Sequence, residues 1–267
     1  MAAEQQSSEP EGQSFEEGMQ FLRRAPILLA CRDEPLSRRE LADETGASRT
    51  TVYRATDELE EEGLVEQTDG SYRTTSKGEA LSAAVERYQT GLEAVERLDV
   101  LFEYEDHPEL VSNAHLLADA ELTVADDDNI YRANDRSIEL WDQSDTVRAG
   151  MVGSGSRHCL EALARCTIEG DVDAEMCFRS DVAPTGEFLD TTEFDFDDLF
   201  ESLDAYVTDS VPFTFLLYDE VAAVVGHDHV GVPAVFAETD SPRVYQWLEG
   251  LYEDCKPDTS PVSAEDL

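Results

Sequence analysis

Lysine is almost absent from this chain. Of 19 basic residues only Lys77 and Lys256 are lysines, against 61 acidic residues and a formal charge of -42. Long apolar runs are missing as well. None approaches the ~18 residues of a membrane-spanning helix, so no membrane contact is expected. The N-terminal MAAEQQSSEPEGQS lacks the basic start and apolar core of a signal peptide, and a cytoplasmic protein is expected. Cysteines are few: 31, 159, 166, 177 and 255. They are odd in number and form no CxxC pair, which argues against a disulfide framework or a zinc knuckle. No metal or cofactor is expected.

What the chain does have is apolar periodicity. Hydrophobic residues make up 41% of 267 residues, enough for two modest domains with packed cores. So large a charge normally marks a disordered acidic tail. Here the carboxylates are spread over segments that also carry regular apolar spacing. A folded, lysine-poor, uniformly acidic chain resembles the proteins of salt-in halophiles. In molar KCl the Debye length falls to roughly 3 Å, and self-repulsion is screened.

Residues 1–14 lack periodicity and are expected to form a disordered tail, as are residues 257–267. Phe15, Met19 and Leu22 predict a short leading helix, and Pro26 opens the next, over Pro26–Arg32. Ser37 and Glu40 have the spacing of a capping box. Gly46 suits a left-handed stop, and Ser48 can cap a further helix that runs to about Glu62. Helix, short glycine turn, helix is the helix-turn-helix pattern. LVEQT and SYRTT, joined by Asp69-Gly70, then predict a hairpin, the wing. From Ser76 to about Glu103 a long helix is expected. Its Leu81, Val85, Tyr88, Leu92, Val95 and Phe102 recur at spacings of four and three, the seam by which a homodimer would pair. The boundaries read from this pattern are 15–78 for a winged DNA-binding domain, 79–106 for a linker and dimerisation helix, and 107–256 for a second domain.

On a helical wheel Val52, Ala55, Thr56 and Leu59 face inward. Arg49, Thr50, Tyr53 and Arg54 occupy the N-terminal half, the end that enters the major groove of duplex DNA, and no carboxylate lies among them. Arg73 in the wing, with Arg38 and Arg39 at the start of the preceding helix, are candidate phosphate contacts. The charge is unevenly divided. Residues 1–20 hold five acids and no base; residues 21–90 hold 10 bases and 14 acids; residues 91–267 hold nine bases and 42 acids. The acid lies mostly outside the candidate reader.

Beyond EDHPEL strand-like and helix-like segments alternate, including TGEFLD and DFDDLFESL as helices. Four strand-like runs and a helix opened by Ser241-Pro242 close the pattern. The whole is expected to be α+β: a winged helix-turn-helix, a long linker helix and an α/β sensor domain. In VGSGSRHCLEAL a strand ends at Gly153 and a helix starts near Ser156. Free amides at a helix N-terminus attract anions. Gly153, Ser154, Gly155, Ser156 and Arg157 are therefore the candidate effector site, at the carboxyl end of a strand. His227, Asp228 and His229 are read as a polar loop rather than a metal site, and the cysteines as small core residues.

LSRRELADETGASRTTVYRATDELEEEGLVEQTDGSYRTTSKGEAL resembles the winged helix-turn-helix of archaeal transcriptional regulators. FTFLLYDEVAAVVGHDHVGVPAVFAETDSPRVYQWLEGLYE resembles the sensor domain of methanogenesis-regulator-type proteins, itself similar to the phospholipase-D-like sensor of TrmB-type sugar regulators. Together the two cover about residues 15–256. The resemblance implies a one-component regulator of transcription, in which a reader of double-stranded DNA is joined to an effector or interaction domain that takes a small-molecule effector or a partner. Phospholipase-D chemistry needs a His-x-Lys pair, and none of the five histidines is followed two residues later by lysine. No enzyme activity is expected. Two other functions fit the sequence: an interaction module that acts on the transcription machinery without reading DNA, and a sugar- or osmolyte-sensing regulator of the TrmB type.

Overall fold

A computed structural model describes residues 18–153, 157–170, 172–182 and 196–263. The chain divides into two compact units, Met1–Thr90 and Gly91–Leu267.

In the first unit the expected punctuation is realised. Helix α1, Ala25–Asp33, opens with proline in its first turn. Strand β1 is Leu36–Ser37, and α2 is Arg38–Thr45, closed by Gly46 at φ 66°. Its capping box is complete: Ser37 Oγ accepts from the Glu40 amide, and the Glu40 carboxylate accepts from the Ser37 amide. Helix α3, Arg49–Glu61, is capped by Ser48, whose hydroxyl accepts from the Thr51 amide. Strands β2, Val65–Thr68, and β3, Ser71–Thr74, form the hairpin. Asp69 and Gly70 both take positive φ, as the tight primed turn requires. Strand β3 also pairs with β1 in a three-stranded sheet of order β1-β3-β2. The core under these elements includes Ile27, Leu28, Leu41, Val52, Leu59, Leu64 and Tyr72.

Helix α4 is Ser76–Arg97. Gly78 in its first turn answers a close approach: a Cβ there would lie 2.0 Å from the Leu64 carbonyl oxygen. The helix ends six residues before the expected Glu103, and a separate short α5 follows, Asp99–Phe102. The reason is burial. Leu98 and Leu101 are fully enclosed in the core of the second unit, and Phe102 packs against it, so Phe102 leaves the expected seam.

The second unit is a mixed sheet of order β4-β10-β9-β8-β5-β6-β7. Its strands are β4 Glu121–Val124, β5 Thr146–Met151, β6 Asp173–Arg179, β7 Asp204–Thr208, β8 Thr214–Leu217, β9 Ala222–His227 and β10 Pro233–Thr239. Parallel pairing joins β5, β6 and β7. Antiparallel pairing joins β5 to β8, β8 to β9, β9 to β10 and β10 to β4. The helices are α6 Pro108–Asn113, α7 Arg132–Trp141, α8 Arg157–Ala164, α9 Phe196–Glu201 and α10 Pro242–Cys255. Side-chain alternation divides the sheet cleanly. Cys177, Phe215, Leu217, Val224 and Val235 share a core with Val244, Leu248 and Tyr252 of α10. Met176, Leu216, Ala223, Val225 and Phe236 face the other way, into a core with Trp141 of α7 and Leu160 and Leu163 of α8. Both faces are covered, which is why these strands read as near-continuous apolar runs.

The DFDDLFESL helix is present as α9, whereas TGEFLD lies outside the described residues. Ser241 stands at the N-cap of α10 but makes no side-chain cap bond; its amide donates to Thr239 Oγ1 at 3.1 Å.

Candidate nucleic-acid interface

The inward face of α3 is as expected: Val52 and Leu59 have no exposure, and Ala55 and Thr56 are buried. That packing fixes which residues face out. Arg49, Thr50, Tyr53 and Arg54 are all exposed, and Tyr53 keeps 56% of its surface in solvent despite its size. Arg54 is 80% exposed and reaches Glu58 only at 3.7 Å. A pair so open is worth about 0.3–0.5 kcal/mol and leaves the guanidinium free to turn elsewhere. Arg49 has no ion-pair partner among the described residues.

Two carboxylates in the C-terminal part of this helix region are held by another arginine. Arg24 donates to Glu58 at 3.2 Å and to Glu62 at 2.7 Å. Arg32 pairs with Glu79 at 3.1 Å and with Glu86. Arg24 was not among the expected site residues. Only its distance in the fold from Glu58 and Glu62 gives it this part, and no spacing within the sequence signals it.

The three flanking arginines differ. Arg38 is tied into the domain: its Nε donates to Thr56 Oγ1 at 2.9 Å, and its Nη2 donates to Asp57. Its guanidinium also lies 4.0 Å from the Tyr53 ring centroid and 5.2 Å from that of Tyr72. Such stacking and forked hydrogen bonding suit arginine and no lysine. Arg39 is 84% exposed, with Asp43 at 3.9 Å. Arg73 on the wing donates to Glu66 across the hairpin at 2.7 Å and remains 58% exposed.

In the second unit β5 ends at Met151, two residues before the expected Gly153; Gly153 is buried, and a Cβ there would come within 2.8 Å of the His227 imidazole. Ser154, Gly155, Ser156 and the Arg157 side chain lie outside the described residues. Among the described residues no group of three His, Cys, Asp or Glu side chains is placed to hold a metal. Asp228 accepts instead from the amides of Val230, at 3.0 Å, and Val232, at 2.9 Å. Burial pushes the thiols of Cys31, Cys166 and Cys255 up to about 11 and that of Cys177 to about 12, so these cysteines stay protonated. Among the described residues no helix is long and apolar enough to cross a membrane.

Residues 15–97 match the family described as HVO_A0261 N-terminal domain, and residues 130–258 match the middle domain of the methanogenesis regulatory protein FilR1. No curated protein matches the chain. Among solved structures it is similar to TrmBL2, an archaeal chromatin protein, with 14% identity over 91% of this chain and 95% of that one, at a TM-score of 0.35. A polyphosphate kinase from Porphyromonas gingivalis is similar over 54% of this chain and 26% of its own, with 13% identity and a TM-score of 0.36. The transcriptional regulator PA3341 is similar over 40% of this chain and 92% of its own, with 24% identity and a TM-score of 0.23.

Proposed function

Because the chain joins an HVO_A0261 N-terminal domain to a FilR1 middle domain, and so belongs with the archaeal methanogenesis-regulator-type proteins, we propose that it is a sequence-specific, DNA-binding transcription regulator of a halophile. It acts as a homodimer, and its C-terminal unit answers to a small-molecule effector. The observation that carries this proposal is the outer face of α3. Two arginines, a threonine and a tyrosine project from its N-terminal half, while Glu58 and Glu62 behind them are held by Arg24. A helix of this kind lays its N-terminal residues against base edges in the major groove. Arg49 and Arg54 are the strongest candidates for bidentate contacts to guanine or phosphate. Thr50 and Tyr53 supply further edge or phosphate contacts, and Arg73 and Arg39 reach the backbone on either side. Arg38 positions the helix through Thr56, Asp57 and Tyr53.

Fluorescence anisotropy with the chain's own upstream DNA, in about 2 M KCl, tests this. Arg54→Ala and Arg49→Ala are each expected to weaken specific binding by about 1–3 kcal/mol, or roughly 5- to 150-fold. Both substitutions fall at exposed positions, so the fold should be unchanged by circular dichroism. An unaltered affinity in both variants would instead favour a winged domain that docks on a protein of the transcription machinery.

A further inference from the structure

One cavity in the second unit lies between the sheet and the α7–α8 pair. Trp141, Met151, Met176, Leu216, Val225 and Phe236 supply most of its wall, and no Asp, Glu, Lys or Arg lines it among the described residues. Among the described residues the carboxylates of this unit all lie elsewhere, as burial in its core requires. The enclosed part is about 60 Å³. This is smaller than the ~150 Å³ of a cavity that takes benzene. The pocket opens toward the surface, so a ligand can enter with one end and leave the other at the mouth.

Beside the Trp141 indole, four polar side chains reach the cavity, and three are already committed. Ser137 Oγ and the Tyr218 hydroxyl bond each other at 2.9 Å. Cys159 Sγ donates to Asn134 Oδ1 at 3.0 Å. Thr214 Oγ1 accepts from the Val152 amide at 3.0 Å. His227 is the exception. Its ring makes no hydrogen bond among the described residues, and the backbone of Gly153 lies flush against it. Burial keeps this imidazole neutral, pushing it down to about 4 despite the nearby Asp228. A neutral imidazole offers one donor and one acceptor. The ligand chemistry follows. A carboxylate or phosphate would lose its water and meet no cation. A sugar would bring many hydroxyls to at most the His227 ring and the Trp141 indole N–H, and unpaired buried hydroxyls are costly.

On the footing of the effector control proposed above, we infer that this cavity is the effector site. Its ligand is a small, uncharged, mainly apolar molecule whose single polar group bonds His227. The site differs from the expected anion-binding helix start; of that segment Gly153, two residues past the end of β5, lies beside the His227 ring.

Methyl NMR on the full chain, carbon-labelled at methionine, in about 2 M KCl, gives a direct readout. Of the four methionines, Met151 and Met176 line the cavity, and Met19 is an exposed control. Phenol serves as the probe, with benzoate and glucose as its charged and polyhydroxylic counterparts. Phenol is expected to shift the Met151 and Met176 signals saturably and leave Met19 unmoved. Benzoate and glucose should leave all of them in place. Cys159→Phe, which puts a ring into the cavity, should weaken phenol at least about tenfold; Leu163→Phe is a second filling variant should the first not fold. Equal shifts from benzoate or glucose, or no shift from phenol in folded wild type, would overturn the assigned chemistry while leaving effector control at another site open to the same DNA assay. Phenol binding that leaves DNA affinity unchanged would retain the pocket and remove its role as effector site.

Discussion

Arg38 and Arg39 are adjacent in the chain, identical in type, and both at the start of the helix before α3. In the fold they part company. Arg39 projects into solvent, while Arg38 is stacked on Tyr53 and bonded to Thr56 and Asp57. The helical period places successive residues about 100° apart, so only one of the two can turn toward α3. Which one does depends on where α3 lies. His227 makes the same point about charge. As one half of a GHDH loop it reads as an exposed polar residue, yet its imidazole is driven down from 6.5 to about 4 by burial. The unfolded chain therefore takes up a proton more readily than the folded one. Above about pH 6.5 this contributes nothing to stability; as pH falls toward 4 the folded state loses up to about 3 kcal/mol. Urea unfolding at about pH 7 and about pH 4.5, compared between wild type and His227→Gln, checks this. The glutamine variant should lose less stability on acidification, and equal losses would show that His227 does not titrate in this way.

Among the elements, those closed by local chemistry were legible in the sequence. Ser37 with Glu40, Gly46, Ser48 and Asp69-Gly70 each set a boundary through contacts within a few residues, and each does so in the fold. The end of α4 was not legible, because Leu98 continues the apolar spacing of the helix while its burial belongs to a core built from distant strands. What remains for pairing is the middle of the stripe. Val85 is buried, but Tyr88, Leu92 and Val95 stay 50%, 50% and 55% exposed at spacings of four and three. Three large apolar side chains on one helix face, all open to water, suit a second copy of the same helix. Light scattering in about 2 M KCl is expected to give twice the chain mass of 29.7 kDa for wild type. Leu92→Glu should shift the protein toward the monomer. A wild-type monomer, or a dimer indifferent to this substitution, would place the partner surface elsewhere.

For the whole molecule, charge is the dominant quantity. A net -42 opposes a polyanion at every distance that salt does not screen. Common DNA readers lose affinity as salt rises because they release counterions. Here carboxylates brought toward the duplex require cations to be taken up. Binding is therefore expected to hold or strengthen from about 0.2 M to about 2 M KCl, where the Debye length is near 3 Å or below. A steep, monotonic weakening over that range would sink this account of how the chain holds DNA. The sequence by itself determined the winged unit, the α/β character of the second unit, the face of α3 that packs and the face that does not. Those follow from periodicity and short-range capping, which act between residues close in the chain. Tertiary structure alone decided that Arg24 holds Glu58 and Glu62, that Arg38 braces α3, and that, among the described residues, His227 makes no hydrogen bond and stands beside a cavity lined by no Asp, Glu, Lys or Arg. Each of these joins residues far apart in the chain, and nothing in local spacing encodes which distant groups the packed sheet and helices bring together.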